Sequence, residues 1–95
     1  MTAGRAEIVM AQDHPAAEGH FPGNPIIPGA VLLAELAAAI GGQCRELRAA
    51  KFLRPVRPGE RLLIVWEEAG GETRFTASAG DPPVPAVTGT MRLLP

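Results

Sequence analysis

The sequence predicts an α+β domain in which an antiparallel sheet covers one apolar helix. Its 95 residues are enough for a single domain over residues 1–95. Strong helix formers run without interruption in one stretch, from Gly29 to Ile40. The other apolar runs are short and lie between glycine and proline clusters, which is typical of strands joined by turns.

The order of these elements can be followed along the chain. Residues 12–29 are rich in proline and glycine and predict an ordered loop. Pro28 suits a helix start and Gly41-Gly42 a helix end, so we expect the helix over about residues 29–41. Five runs are predicted as strands: residues 6–11, 48–56, 61–67, 73–79 and 86–94. Because tight turns join antiparallel strands, we expect an antiparallel sheet with one face on the helix.

The helix itself is apolar on nearly every side. Glu35 is its only charged residue, so most of the helix surface must be buried. Trp66 and the three phenylalanines either pack in the core or line a ligand tunnel, and the sequence does not separate these two interpretations.

Composition excludes several classes of function. The net charge of −1 gives no electrostatic basis for binding nucleic acid or an anionic membrane. The apolar stretch 30–40 is far shorter than the roughly 20 residues of a membrane span. Cys44 is alone and has no metal-ligand spacing around it, so we expect no disulfide and no metal site. The N-terminus lacks the pattern of a secretory signal, and we expect a cytoplasmic protein.

Basic residues form a loose cluster after the helix. They are Arg45, Arg48, Lys51, Arg54 and Arg57. The cluster is either a solvated face or a docking patch for an acidic partner.

Two separated motifs carry a resemblance to a known family. Residues 19–29 have the sequence GHFPGNPIIPG, and residues 51–62 have the sequence KFLRPVRPGERL. Both resemble the FabZ/FabA-type 3-hydroxyacyl-[acyl-carrier-protein] dehydratases. The resemblance implies the hotdog fold, in which an antiparallel sheet wraps a central helix. It also implies a hydro-lyase that dehydrates 3-hydroxyacyl thioesters, carried on acyl carrier protein or CoA, in fatty-acid or polyketide-like synthesis, without a cofactor.

The resemblance also implies roles for single residues. His20 matches the catalytic histidine, and imidazole titrates near neutral pH, as a general base should. Gly29 matches the glycine whose N–H points at the thioester carbonyl, and a helix N-terminus offers free N–H groups and a positive dipole end. Phe21 and Pro28 are expected to contact the substrate beside it. His14 lies before the motif and is assigned no role.

The chain departs from the family pattern inside the helix. The family has an acidic residue five positions after the glycine, where this chain has Ala34, and a glutamine where it has Ala38. Glu35 follows one position later, about 100° further around the helix. Three explanations remain open: Glu35 acts through a helix bulge, a partner chain supplies the acid, or the protein binds acyl thioesters without dehydrating them. Alternatively, Glu35 reaches solvent or an arginine.

The family places its site across a dimer interface, with the histidine and the acid from different protomers. We therefore expect a homodimer, with a heterodimer as the alternative. Two other functions compete with dehydration: a non-catalytic acyl-binding or partner subunit, which the alanine at position 34 favours, and an acyl thioesterase, against which the His20 motif argues.

Overall fold

One helix lies against one five-stranded sheet in the computed structural model, which describes residues 2–10 and 26–94. The chain order is β1 (Thr2–Val9), α1 (Gly29–Ile40), β2 (Gln43–Phe52), β3 (Arg61–Ala69), β4 (Glu72–Ala79) and β5 (Val84–Leu94). The predicted fold class, an antiparallel sheet with a single helix, is confirmed. The loop predicted over residues 12–29, with His14, His20 and Phe21, lies mostly outside the described residues.

The strands are ordered β1-β3-β4-β5-β2, and all neighbours are antiparallel. β3, β4 and β5 form a meander, as consecutive strands joined by short turns should. β2 does not pair with β3, which follows it in the chain. It lies at the far edge of the sheet and pairs with β5. The linking residues 53–60, called the connection below, contain Pro55 and Pro58 and are too long for a tight turn, so they cross the end of the sheet.

All five predicted strands are found, and β3, β4 and β5 differ from the prediction by one or two residues at one end, whereas β1 and β2 differ more. β1 begins at Thr2 rather than at residue 6, because the polar residues of its first half still pair with β3. β2 covers Gln43–Phe52 rather than 48–56. Its first half carries alternating charges that look unlike a strand in sequence, yet pairing with β5 holds them extended.

Helix α1 fills the inner face of the curved sheet. Leu32, Leu36 and Ala37 are buried in one cluster with inward-facing residues of β3, β4 and β5. The helix backbone comes close to β1 and to β2, the two outer strands, so the sheet wraps around it. The helix ends at Gly41, which has a φ of 126° and donates its N–H to the Ala37 carbonyl.

Aromatic rings on the inner face lie over glycines of neighbouring strands. Trp66 of β3 pairs with Gly4 of β1 and with Phe75 of β4, and Phe75 pairs with Gly89 of β5. A Cβ atom at Gly4 would collide with the Trp66 indole, and one at Gly89 would lie 2.8 Å from Phe75 Cζ. Phe75 therefore belongs to the core, and Trp66 packs against that core while partly buried.

Two turns follow directly from the sequence. Gly70 and Gly71 join β3 to β4 with φ values of 61° and 79°, the positive values that a type I′ hairpin turn requires. In the connection, the Glu60 N–H donates to the Arg57 carbonyl at 3.2 Å across Pro58 and Gly59. Proline followed by a glycine with a φ of 86° is typical of a type II turn.

Within the described residues, no helix is both long and apolar enough to cross a bilayer.

Candidate functional site

The N-terminal end of α1 opens into a groove of about 520 Å³, called the helix-end groove below. The walls come from the start of the helix and from the connection. They are Ile26, Ile27, Gly29, Leu32, Phe52, Leu53, Arg54, Pro55 and Val56. The walls are mainly apolar, and Arg54 is the only charged residue among those that line it in the described chain. An apolar groove with few polar groups suits an acyl chain.

Gly29 provides the polar feature of this groove. It is the first helical residue, and the N–H groups at the start of a helix have no acceptor within the helix. Pro28 precedes it and offers no capping side chain, and the first turn contains no acidic residue. The N–H groups and the positive end of the helix dipole are therefore directed at the groove without a neutralising side chain from this turn.

The Phe52 ring rests against Gly29. A Cβ atom placed on Gly29 would lie 2.9 Å from Phe52 Cζ, and the Phe52 side chain is half exposed at the groove. Sequence reasoning left the role of the phenylalanines open, and it missed this contact because residues 29 and 52 meet only in the folded chain. Phe52 thus lines the groove, whereas Phe75 lies in the core.

The second motif forms one wall of the helix-end groove through residues 52–56, and Arg54 links this wall to Glu60. Arg54 Nη2 donates to Glu60 Oε2 at 2.7 Å, and the Arg57 N–H donates to Glu60 Oε1 at 2.8 Å. Arg54 Nη1 is buried and has no acceptor within the described part of the chain. Burial alone would raise the pKa of Glu60, but the hydrogen bonds from Arg54 and Arg57, together with their charges, lower that pKa overall.

Glu35 lies in the middle of α1, roughly 9 Å along the helix axis from Gly29 at 1.5 Å per residue. The helix is continuous α-helix over Gly29–Ile40 and has no bulge. Glu35 therefore keeps its place one residue after Ala34 and is half-buried, while Ala30, Ala34 and Ala38 form an exposed stripe. The catalytic role of Glu35 remains a prediction.

The basic cluster is divided in the structure. Arg45, Arg48 and Lys51 are exposed on β2, and Arg48 pairs with Glu46 at 3.1 Å. Arg54 is instead engaged by Glu60 at the groove. Cys44 is exposed and free, and no group of metal-ligating side chains occurs among the residues that the structure describes.

A second cavity of about 540 Å³ lies on another side of the molecule. Its walls are Glu7, Glu60, Arg61, Gly80, Asp81 and Pro83. Charged side chains dominate these walls and no residue of α1 is among them, so the helix-end groove is the better candidate for an acyl thioester.

Sequence comparison finds dehydratases among the relatives of this chain. The family model of the ApeI-like dehydratases (ApeI dehydratase) matches residues 2–88 of the chain. The 3-hydroxyacyl-[acyl-carrier-protein] dehydratase FabZ of Mannheimia succiniciproducens is 37% identical over 84 residues, covering 70% of this chain and 56% of that protein. FabZ of Yersinia enterocolitica is 34% identical over 93 residues, covering 79% of this chain and 55% of that protein. The chain thus spans about half the length of these curated relatives.

Structural comparison agrees. An uncharacterized protein from Erwinia carotovora subsp. atroseptica superposes with a TM-score of 0.78 at 27% identity, covering 98% of this chain and 83% of that chain. The dehydratase heterocomplex ApeI:P from Xenorhabdus doucetiae superposes with a TM-score of 0.76 at 21% identity, covering 98% of this chain and 88% of that chain. These likenesses confirm the predicted hotdog fold, and the family match confirms the resemblance carried by the two motifs. The chain belongs to the ApeI-like dehydratase family.

Proposed function

We propose that the chain carries a site for dehydration of a 3-hydroxyacyl thioester to the enoyl thioester. The observation that supports this most strongly is the meeting of the two motifs: Gly29 at the end of the first and residues 52–56 of the second line one groove. That groove joins a helix N-terminus to apolar walls. These are the two features that a thioester carbonyl and an acyl chain need.

The proposed reaction removes a proton from C2 and hydroxide from C3. His20 is the proposed base for the C2 proton, and electrons of that C–H bond form the new double bond as the C3–O bond breaks. The Gly29 N–H donates to the thioester oxygen, where negative charge develops. The departing hydroxyl takes a proton from an acid and leaves as water. Phe21 and Pro28 are proposed to contact the substrate beside Gly29.

Two sources of the acid are compatible with this scheme. Glu35 is the carboxylate of this helix, but the helix has no bulge to bring it into the register of Ala34. The other source is a carboxylate from a second protein, which fits the description of ApeI:P as a dehydratase heterocomplex. We propose a homodimer through the exposed edge of β2, with a heterodimer as the alternative.

The substrate carrier is proposed from the relatives and from surface charge. FabZ relatives are named for substrates on acyl carrier protein. The exposed Arg45, Arg48 and Lys51 on β2 offer positive charge to an acidic carrier, and CoA remains the other candidate. The location proposed for this activity is the cytoplasm.

Incubation of the purified chain with a 3-hydroxyacyl-carrier thioester tests the proposal. We expect enoyl product from the wild type and from the control His14→Ala, and its loss in His20→Ala. Product that persists in His20→Ala would exclude His20 as the base, and equal loss in both histidine variants would leave the role without support. Free thiol without enoyl product would favour a thioesterase instead.

A second pair of variants locates the acid. Loss of product in a folded Glu35→Ala variant would assign the acid to Glu35. If product persists there, Ala34→Glu should raise the rate, since it supplies a carboxylate at the family position and Ala34 is exposed in the single chain.

A non-catalytic acyl-binding or partner subunit is the second candidate. Ala34 in a regular helix is the observation that favours it. Thioester binding without turnover would support this function. So would turnover that appears only when the chain is mixed with an acid-bearing family member whose own catalytic histidine has been replaced.

A further inference from the structure

The described residues on either side of the segment that carries His20 are bound to the connection. The chain leaves the described sheet at Met10 and returns at residue 26. The Met10 N–H donates to the Glu60 carbonyl at 2.9 Å, and the Gly59 N–H donates to the Met10 carbonyl at 2.7 Å. At the other end the Ile27 N–H donates to the Val56 carbonyl at 2.8 Å. The position of residues 53–60 therefore decides where segment 11–25 begins and ends.

The Glu60 carboxylate joins separate parts of the connection. One oxygen accepts from Arg54 Nη2 near its start, and the other accepts from the Arg57 N–H at its turn. The Arg54 and Glu60 side chains are only 30% and 22% exposed, so this pair is better shielded than the chain's surface pairs. Charge-assisted hydrogen bonds at a partly buried site are stronger than exposed ion pairs.

Backbone pairing secures the start of the connection to the sheet. The Leu53 N–H donates to the Ala86 carbonyl of β5 at 2.7 Å. The start is thus fixed by β5, and the turn at 57–60 is fixed to that start through Arg54 and Glu60. Without the carboxylate, the turn that holds Met10 would lose its side-chain link to the groove.

We propose that Glu60 is a positioning residue for His20. It fixes the connection, to which Met10 and Ile27 are bound on either side of segment 11–25. This inference rests on the proposed function, because the activity of His20 is one of its readouts. Glu60 acts through Arg54 and Arg57 and is not proposed to touch the reacting atoms.

The test compares Glu60→Gln with Glu60→Asp and with the control Glu7→Gln. Glutamine keeps one acceptor but places an amide NH₂ against donors, whereas aspartate keeps the charge. Glu7 pairs with Arg61 at 3.3 Å in an exposed pair outside the connection. We expect kcat to fall about tenfold to a hundredfold in Glu60→Gln, as for a small misplacement of a catalytic group, with a smaller change in KM. Glu60→Asp should recover most of kcat, and Glu7→Gln should leave it unchanged.

Hydrogen–deuterium exchange supplies a readout that does not need activity. The amides of Met10, Ile27 and Gly59 should exchange faster in Glu60→Gln than in the wild type and in Glu7→Gln. If Glu60→Gln does not fold, the same exchange is measured in Arg54→Lys, because lysine keeps the charge but loses the guanidinium geometry.

Several results would overturn the inference. They are unchanged exchange in the folded variant, faster exchange with unchanged kcat, or a fall in kcat while the three amides stay protected. A wild-type chain without dehydratase activity would overturn the proposed function instead, and unchanged exchange in Glu60→Gln would then still count against Glu60.

Discussion

At Gly29 the need for a small residue arises from the Phe52 ring and the groove. The backbone of Gly29 is helical and does not need the positive φ that favours glycine. Alanine is a better helix former than glycine by about 1 kcal/mol, which offsets a modest contact with a movable ring. We therefore expect Gly29→Ala to change the unfolding free energy little and to lower kcat/KM about tenfold or more, because the methyl group intrudes beside the donating N–H.

A second substitution separates the two causes of this effect. Phe52→Leu in the Gly29→Ala background removes the ring edge that the new Cβ meets at 2.9 Å. Recovery of kcat/KM in the double variant would mean that the displaced ring was responsible. Persistent loss would mean that the methyl group itself blocks the thioester, and an unchanged kcat/KM in Gly29→Ala would contradict the assignment of the groove.

The charge of Glu60 makes a pH-dependent contribution to stability. Its pKa is below the ordinary value of 4.5, so the folded state favours the carboxylate. The stabilisation is therefore complete above pH 4.5 and is lost as the pH falls through the lowered folded pKa. We expect Glu60→Gln to unfold about 1 kcal/mol more easily than the wild type at pH 7.

Denaturant unfolding at several pH values tests this expectation. The difference between the two proteins should shrink as the pH falls below 4.5, where the wild-type carboxyl group becomes neutral as well. A difference that stays constant down to pH 3 would show that shape and not charge explains the effect.

At the scale of the elements, β5 and the β3–β4 turn both need glycine, but for different reasons. Gly89 of β5 leaves no room for a side chain, and Gly70 of the turn has a positive φ. A Cβ atom at Gly89 would collide with the Ala49 carbonyl of β2 and approach Phe75 Cζ to 2.8 Å. A Cβ atom at Gly70 would meet nothing within 4 Å, but the φ there is 61°. We expect Gly89→Ala to lower the unfolding free energy by about 3 kcal/mol and Gly70→Ala by about 1 kcal/mol, measured in urea.

A matched substitution checks the cause in each case. Gly70→Asn should be nearly neutral, because asparagine tolerates a positive φ better than alanine does. If Gly89→Ala were no more harmful than Gly70→Ala, β2 would not be held as closely against β5 as the structure has it.

Sequence patterns predicted the elements with local signals and missed the long-range pairings. The helix bounds were predictable because Pro28 and the two glycines after Ile40 act on their immediate neighbours. The edge position of β2 was not, because it depends on pairing with a strand some forty residues later. Arg54 and Glu60 are only six residues apart in sequence. The backbone hydrogen bonds between Met10 and the connection, by contrast, join residues that are separated by about half of the chain.

For the whole molecule, the fold explains why the two motifs occur together. The first motif ends at Gly29, and the second builds the opposite wall of the groove and binds Met10 and Ile27. Sequence similarity identified each motif, but only the crossing of residues 53–60 over the end of the sheet brings them together. Neither the sequence nor the fold supplies the catalytic acid at position 34, where this chain has alanine.

The proposed dimer follows from surfaces that the single chain leaves uncovered. β2 is an edge strand and nearly all of its residues are exposed, and the alanines at positions 30, 34 and 38 are exposed on the helix. Unpaired strand edges readily pair with another chain, and a small domain gains stability from further burial. Leu47 projects from this edge with 44% of its surface exposed. We expect Leu47→Asp to shift the protein from dimer to monomer, because an aspartate in the interface would be desolvated without a partner.

Analytical ultracentrifugation of Leu47→Asp beside Val65→Asp gives this test its control. Val65 is similarly apolar and 51% exposed, but it lies on β3, away from the β2 edge. It should therefore tolerate the charge and leave the dimer intact. Dissociation in both variants would indicate general destabilisation, and a dimer that survives Leu47→Asp would place the interface elsewhere. If the site needs a carboxylate from a second protomer, Leu47→Asp should also lose dehydratase activity in proportion to its monomer fraction, since His20 and Gly29 would remain without their acid.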